Sequence, residues 1–227
     1  MTMRTAALCA AALAFGTLTA CSSGGTTTDE QSYEVSDQVS ALVVDGRAAA
    51  VTIETGDGPV TVTEVYHYSD DRPGTSHRVD GSTLRLSDTG CSNDEVRCGV
   101  EFRIRMPSAT TATVTAKAGA VKMTGLTGNV TVTTEAGAVE ADGLAGDEVT
   151  ITTQAGAASL GFAKAPKMVK ASTQVGAVEV RLPGGTAYAV DVATDVGPSD
   201  VSVQRDATSA HKVQVKTEVG AIRVENT

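Results

Sequence analysis

Glu140, Ser159, Glu179 and Asp200 stand 19, 20 and 21 residues apart, each inside a short run of alternating apolar and polar residues. Acidic groups recurring at a nearly constant interval are one way for a repeat protein to line a groove. Two carboxylates at a defined separation can hydrolyse a glycosidic bond, and a bound calcium with a base can serve polysaccharide elimination. The competing reading is a solvated face on an acidic protein, and no aromatic residue flanks the column to carry a sugar ring. A second concentration lies in "YHYSDDRPGTSH", which holds Tyr66, His67, Tyr68, Asp70, Asp71 and His77. Two histidines and a carboxylate form a metal-ligand set, but the reading preferred here is an exposed loop with two tyrosines packed on its base. His211, between Ala210 and Lys212, reads as a surface residue in a polar loop. No serine has a nucleophile-elbow context with matching His and Asp, and no glycine run suits a phosphate. The expectation is a protein without catalytic activity, cofactor or metal.

The elements that would position these residues are set by a repeat. Gly119, Gly137, Gly156, Gly176, Gly197 and Gly220 follow one another at intervals of 18, 19, 20, 21 and 23. Such drift suits short strands joined by loops of variable length. Before each glycine the chain alternates at period two, giving the columns Val130, Val149, Val169, Val190, Val213 and Val132, Ile151, Ala171, Val192, Val215. After it a second alternating run begins with the parity shifted, so the chain turns a corner at the glycine. Glycine permits a positive φ or a close approach to the next coil. A threonine column (Thr134, Thr153, Thr173, Thr194, Thr217) shares the buried parity, with Thr–Thr hydrogen bonds between coils as the expected partners. The pattern predicts an all-β, single-stranded β-solenoid of coils of about 18–23 residues, a β-sandwich being the alternative. Six coils at ~4.8 Å each would extend roughly 25–30 Å. "VTIETGDGPVTV" aligns Val51, Ile53, Thr55 and Gly58 onto the same columns, so Gly58 is read as a seventh corner glycine and about three coils are expected between it and Gly119.

The ends and the composition supply an address. Arg4 precedes an uncharged Ala- and Leu-rich run from Thr5 to Ala20, the layout of a secretory signal rather than of a membrane-spanning helix. Leu18-Thr19-Ala20-Cys21 resembles a lipobox, which implies cleavage before Cys21 and lipid (palmitate-type acylation) on its thiol. "CSSGGTTTDEQS" then reads as a flexible tether. In an exported chain Cys91 and Cys98 read as a disulfide pair; a zinc site would need two further ligands, and the nearest histidine, His77, is fourteen residues before Cys91. The whole chain carries a formal charge of −9, and the chain after residue 20 has 17 Lys and Arg against 27 Asp and Glu. That balance disfavours nucleic acid and anionic lipid surfaces, and three Phe, four Tyr and no Trp leave little surface for stacking.

The T-x-[AV]-G-[AP] corners, "VDGSTLRL" (Val79–Leu86), the cysteine loop and the "RIRMP" strand together resemble a bacterial family of β-strand-repeat proteins provisionally called adhesins, built on a domain of unassigned function. The resemblance covers most of the chain after the signal and implies a coiled β fold on exported, often lipid-anchored proteins, with no ligand specified. Gly-Ala often stands here where family members have Gly-Asp, which removes an acidic ladder and any calcium site on it. The organisation expected is a signal peptide over 1–20, a tether over 21–32 and one domain over 33–227, with decorated N-terminal coils at 33–111 and regular repeats at 112–227. The function expected is non-catalytic binding at the cell envelope, on the outer face of the cytoplasmic membrane or the periplasmic side. The membrane is reached through the lipid, and an envelope protein or a cell-wall polymer is the ligand. A carbohydrate-active enzyme and an envelope-stress or regulatory subunit are the alternatives.

Overall fold

The structure, a computed structural model, describes residues 26–90 and 98–227. In chain order its strands are β1 (Thr27–Val35), β2 (Ala41–Thr55), β3 (Val60–Tyr68), β4 (Gly74–Asp80), β5 (Thr83–Gly90), β6 (Gly99–Met106), β7 (Thr111–Ala118), β8 (Val121–Thr124) and β9 (Val130–Ala136). They continue as β10 (Val139–Leu144), β11 (Glu148–Ala155), β12 (Ala158–Phe162), β13 (Met168–Val175), β14 (Val178–Leu182), β15 (Ala189–Val196), β16 (Ser199–Val201), β17 (Lys212–Val219) and β18 (Ile222–Asn226). Two parallel-stacked sheets face each other. Sheet A runs β1, β3, β6, the second half of β2, β8, β10, β12, β14, β18, β16. Sheet B runs β4, β5, the first half of β2, β7, β9, β11, β13, β17, β15. Each regular coil gives one strand to B and the next to A, which is a flattened β-solenoid and sets aside the sandwich alternative.

Alternation creates the core. In sheet B, Val114, Val132, Ile151, Ala171 and Val215 stand in register, and in sheet A Met123, Ala141, Leu160, Val180 and Val224 do so. All ten are buried. Burying each large aliphatic side chain contributes about 1.5–3 kcal/mol, and stacking supplies the apolar neighbours no single coil has.

Steric contact explains the glycines. From Gly119 to Gly220 the six corner glycines have φ between 135° and 156°. A Cβ on Gly137 would lie 2.1 Å from the carbonyl oxygen of Gly119, and one on Gly220 would lie 1.9 Å from that of Gly176. The corners thus stack directly on one another. Their threonines behave differently from expectation: Thr173, Thr194 and Thr217 donate to the carbonyls of Gly156, Gly220 and Gly176, each at 3.1 Å, and not to a neighbouring threonine. The corner carbonyl is the nearer acceptor because the threonine lies three residues before its own glycine, over the corner of the coil beneath.

Gly58 is a correction. It lies in the turn between β2 and β3, with φ 96° and nothing within 4 Å of a Cβ. Val51 and Ile53 pair with Val121 and Met123, so they belong to the strand after a corner, not before it. The real corner of that coil is a bend inside β2, where Gly119 stacks on Ala49. The buried Asp88 carboxylate holds the bend, accepting from the amides of Arg47 at 2.8 Å and Gly90 at 2.7 Å. An Asp clamp replaces the glycine, so the glycine period does not reveal this coil.

Chain order also departs from spatial order at both ends. β2 lies between the β5–β6 coil and the β7–β8 coil, and β1, β3 and β4 add antiparallel edges where further coils were expected. At the other end β17 inserts between β13 and β15, and β18 between β14 and β16. The more apolar pair goes inside: Ile222 and Val224 are buried, while Ser199 in the equivalent place on β16 is exposed. A polar terminal coil is what an exposed solenoid end requires. The longest interval, 23 residues from Gly197 to Gly220, contains the connection that makes this return. β1 starts at Thr27, inside the stretch read as tether.

Candidate functional site

The outer face of sheet A carries the acidic column. Its register runs Lys122, Glu140, Ser159, Glu179, Arg223, Asp200, because β18 lies between β14 and β16. Glu179 and Asp200, which the sequence places on successive coils, are therefore separated by an arginine. Glu179 is bound by Arg181 at 2.8 Å, Glu140 faces Lys122 at 3.9 Å, and Arg181 also reaches Asp142 at 3.6 Å. Nearby, Glu101 takes a two-point contact from Arg103 at 2.7 and 3.0 Å, which raises the arginine's pKa further. Charges alternate and pair across a flat surface; the carboxylates do not converge on a shared space.

The "YHYSDDRPGTSH" segment is strand β3, a turn and strand β4 rather than a loop. It contributes to a polar plug that closes the N-terminal end of the core. Glu64 takes an inward position on β3, after Val60 and Val62, and is 1% exposed. Tyr33 donates to its Oε1 at 2.7 Å, Thr75 to its Oε2 at 2.6 Å, and Tyr66 also donates to Oε2. The Tyr33 ring stacks on His77 with centroids 4.2 Å apart, joining the two sheets. Arg72 lies 3.8 Å above the Tyr66 ring, a cation–π contact. Burial, then the bond to Glu64, pushes the Tyr33 hydroxyl far above the ordinary phenol range, and the same causes raise Tyr66. A buried polar group is tolerated when its hydrogen-bonding capacity is filled, as here. Filled and enclosed, Glu64 has no free face for a substrate.

The two histidines do not meet. His67 is exposed, with Nδ1 3.3 Å from Thr28 Oγ1, whereas His77 stacks on Tyr33. Tyr68 donates to Asp29 at 2.6 Å, and Asp70 and Asp71 lie in the turn. Among the described residues no three His, Cys, Asp or Glu come together as a metal-binding group. His211 is more than a surface residue: its Nδ1 lies 2.7 Å from the Pro166 carbonyl and its ring meets the buried Tyr188 edge-on. Cys21 and Cys91 lie outside the described residues, and Cys98 immediately precedes β6. Sequence reading missed Glu64, Tyr33, Thr75 and Arg72; a charged residue at an inward strand position was the available signal.

Two central rows on the outer face of sheet B are rich in hydroxyls. Thr113, Thr131 and Thr150 stand in one row, and Thr115, Thr133 and Thr152 in the next. Arg78 and Arg85 oppose each other beyond one end of it, and Lys170 and Lys216 stand beyond the other. A shallow groove of about 350 Å³ between Lys170, Ser172, Gln214 and Lys216 indents that far end.

This architecture recurs in a solved protein. A provisionally named cell adhesion protein from Clostridium sporogenes ATCC 15579 superposes with a TM-score of 0.58 at 15% identity, covering 88% of this chain and 100% of that one. A provisionally named adhesin from Bacteroides fragilis NCTC 9343 gives a TM-score of 0.48 at 15% identity over 88% of this chain and 98% of its own. No curated protein matches the chain. The family described as Toastrack DUF4097 matches residues 36–225, from just after β1 to within β18. The chain belongs to that Toastrack family.

Proposed function

We propose that this protein is a non-catalytic, lipid-anchored binding protein of the cell envelope that presents the outer faces of a rigid solenoid to a ligand. One observation carries the reading: the acidic column that could have formed a catalytic pair is broken by Arg223 and neutralised by Lys122 and Arg181. Faces of this kind, flat and ordered by strand register, suit recognition of an extended partner. The lipobox-like Leu18–Cys21 supports a location on the outer face of the cytoplasmic membrane or the periplasmic side, and an oxidising compartment there would favour a Cys91–Cys98 disulfide. β1 then links anchor to solenoid: nine residues pair with β3, and Tyr33 and Tyr68 bind Glu64 and Asp29. The adhesin names of the structural relatives agree with a binding role.

The test uses the full chain in cells. Palmitate should label the wild type and not Cys21→Ser, and peptide mapping under non-reducing conditions should join Cys91 to Cys98. Photo-crosslinkers at Thr131 on sheet B and Ser159 on sheet A should capture envelope material from one face. Label retained in Cys21→Ser overturns the anchor. Capture of a single envelope protein, with no polymer, replaces the wall-binding reading with a regulatory one.

A further inference from the structure

The outer face of sheet B differs from that of sheet A in how its charges are disposed. On A, Lys122, Arg103 and Arg181 are each paired with a carboxylate, while Arg105 and Arg223 have no ion pair among the described residues. On B, the two central rows carry Arg78, Arg85, Lys170 and Lys216, and none of the four has an ion pair among the described residues. Arg78 and Arg85 are direct cross-strand partners, an arrangement that like charges destabilise, and Arg85 Nε is buried without a hydrogen-bond partner. Two carboxylates share these rows, Asp45 and Asp191, and the rows on either side carry the exposed Glu135, Glu148, Asp195 and Glu218. Lys164 and Lys167, on the neighbouring loop, are both held by Asp147 at 3.3 and 2.8 Å.

Between the cationic ends lie the six threonines, five exposed and Thr150 half-buried. Strand geometry spaces them ~4.8 Å apart across the sheet and about 6.8 Å along each strand. Five strand steps separate Arg85 from Lys170, about 24 Å. The two central rows thus offer a track of hydroxyl donors and acceptors with cations outside any ion pair where it begins and ends.

We propose that this face binds an anionic polyol polymer of the cell wall, a polyol-phosphate chain lying along the solenoid axis. Threonines meet its hydroxyls, and Arg78, Arg85, Lys170 and Lys216 meet its phosphates. The inference rests on the envelope location argued above and adds the ligand class and the face. A nucleic acid, with a similar charge density, fits less well, because nothing in these rows can stack a base.

The probe is poly(glycerol phosphate), titrated into the full chain purified in mild detergent, with dextran and an oligonucleotide as comparators. Saturable binding is expected, weakening by about tenfold between 50 and 200 mM salt as counterions compete. Lys170→Glu with Lys216→Glu should weaken it by about tenfold or more, and Lys122→Glu with Arg181→Glu on sheet A by less than about twofold. Circular dichroism on each variant separates lost binding from lost fold. No binding to the probe, equal losses from the two faces, or dextran binding as tightly as the phosphate polymer overturns the proposal. Intact wall sacculi separate the two readings: sacculi bound without the phosphate polymer sinks this inference alone, and failure to bind either sinks the wall-binding reading beneath it.

Discussion

Gly156→Ala tests whether the corner glycines are demanded by contact between coils. A Cβ there would sit 2.1 Å from the Gly137 carbonyl oxygen and 2.6 Å from its carbon, with the backbone at φ 154°. Ordinary contact begins near 3.4 Å, so the two corners must part by on the order of 1 Å. They are fastened on either side by Gly137 N to Ala155 O and Val139 N to Ala157 O, both 2.9 Å. Backbone strain of about 1–3 kcal/mol, plus about 1 kcal/mol for each hydrogen bond stretched, gives a cost of roughly 3–5 kcal/mol. In a domain of this size each kcal/mol moves Tm by about 2–4 °C, so a fall on the order of 10 °C is expected. Thermal unfolding followed by circular dichroism on the full chain measures it. Gly184→Ala is the control, having nothing within 4 Å of the added methyl and no restricted φ, and should change Tm by no more than about 1 °C. Gly156→Ala melting within about 2 °C of wild type would refute the reasoning.

Other consequences can be measured on the same preparation. Thr217→Val removes a bond to the Gly176 carbonyl and should cost about 1 kcal/mol, whereas Thr153→Val replaces a buried hydroxyl that has no partner and should be neutral or stabilising in urea unfolding. Asp88→Ala strips the acceptor from the amides of Arg47 and Gly90 in the β2 bend and should destabilise by about 2–4 kcal/mol in the same assay. Tyr33, Tyr66 and Tyr188 all have raised phenol pKa values, mainly through burial. The native state therefore holds these protons more tightly than the unfolded chain; their contribution is complete below about pH 10 and is lost as pH rises above it. Stability should decline from about pH 10 upward, and phenolate absorbance should develop at higher pH in the folded protein than in the unfolded chain; coincident titrations of the two states would contradict this.

The regular repeats were legible because three signals coincide at each coil: alternation, a shift in parity and a glycine. Ile151 and Leu160 could be placed on opposite sheets from those alone. The first coil was misread because Asp88, forty residues away in sequence, does there what a glycine does elsewhere. Local periodicity cannot register a clamp of that range. The inserted β17 and β18 were hidden for a related reason: strands with equivalent patterns can stack in any order, and the choice falls to which of Ile222 or Ser199 gains more from burial. The polar plug escaped because Glu64, Tyr33 and Thr75 come from three strands that only the fold brings together. Comparing inward positions one by one would have flagged Glu64, the charged residue in "VTVTEVYHY" that shares parity with Val60 and Val62.

The most direct test of non-catalytic binding at the envelope is to incubate the purified full chain with cell-wall sacculi, measuring both the protein that sediments and the glycan released. The account predicts saturable sedimentation, reduced by charge reversal on sheet B, with no soluble fragments above a protein-free control. Release of fragments that grows with time and stops in Glu140→Gln or Glu179→Gln would contradict it and make the acidic column of sheet A an active site.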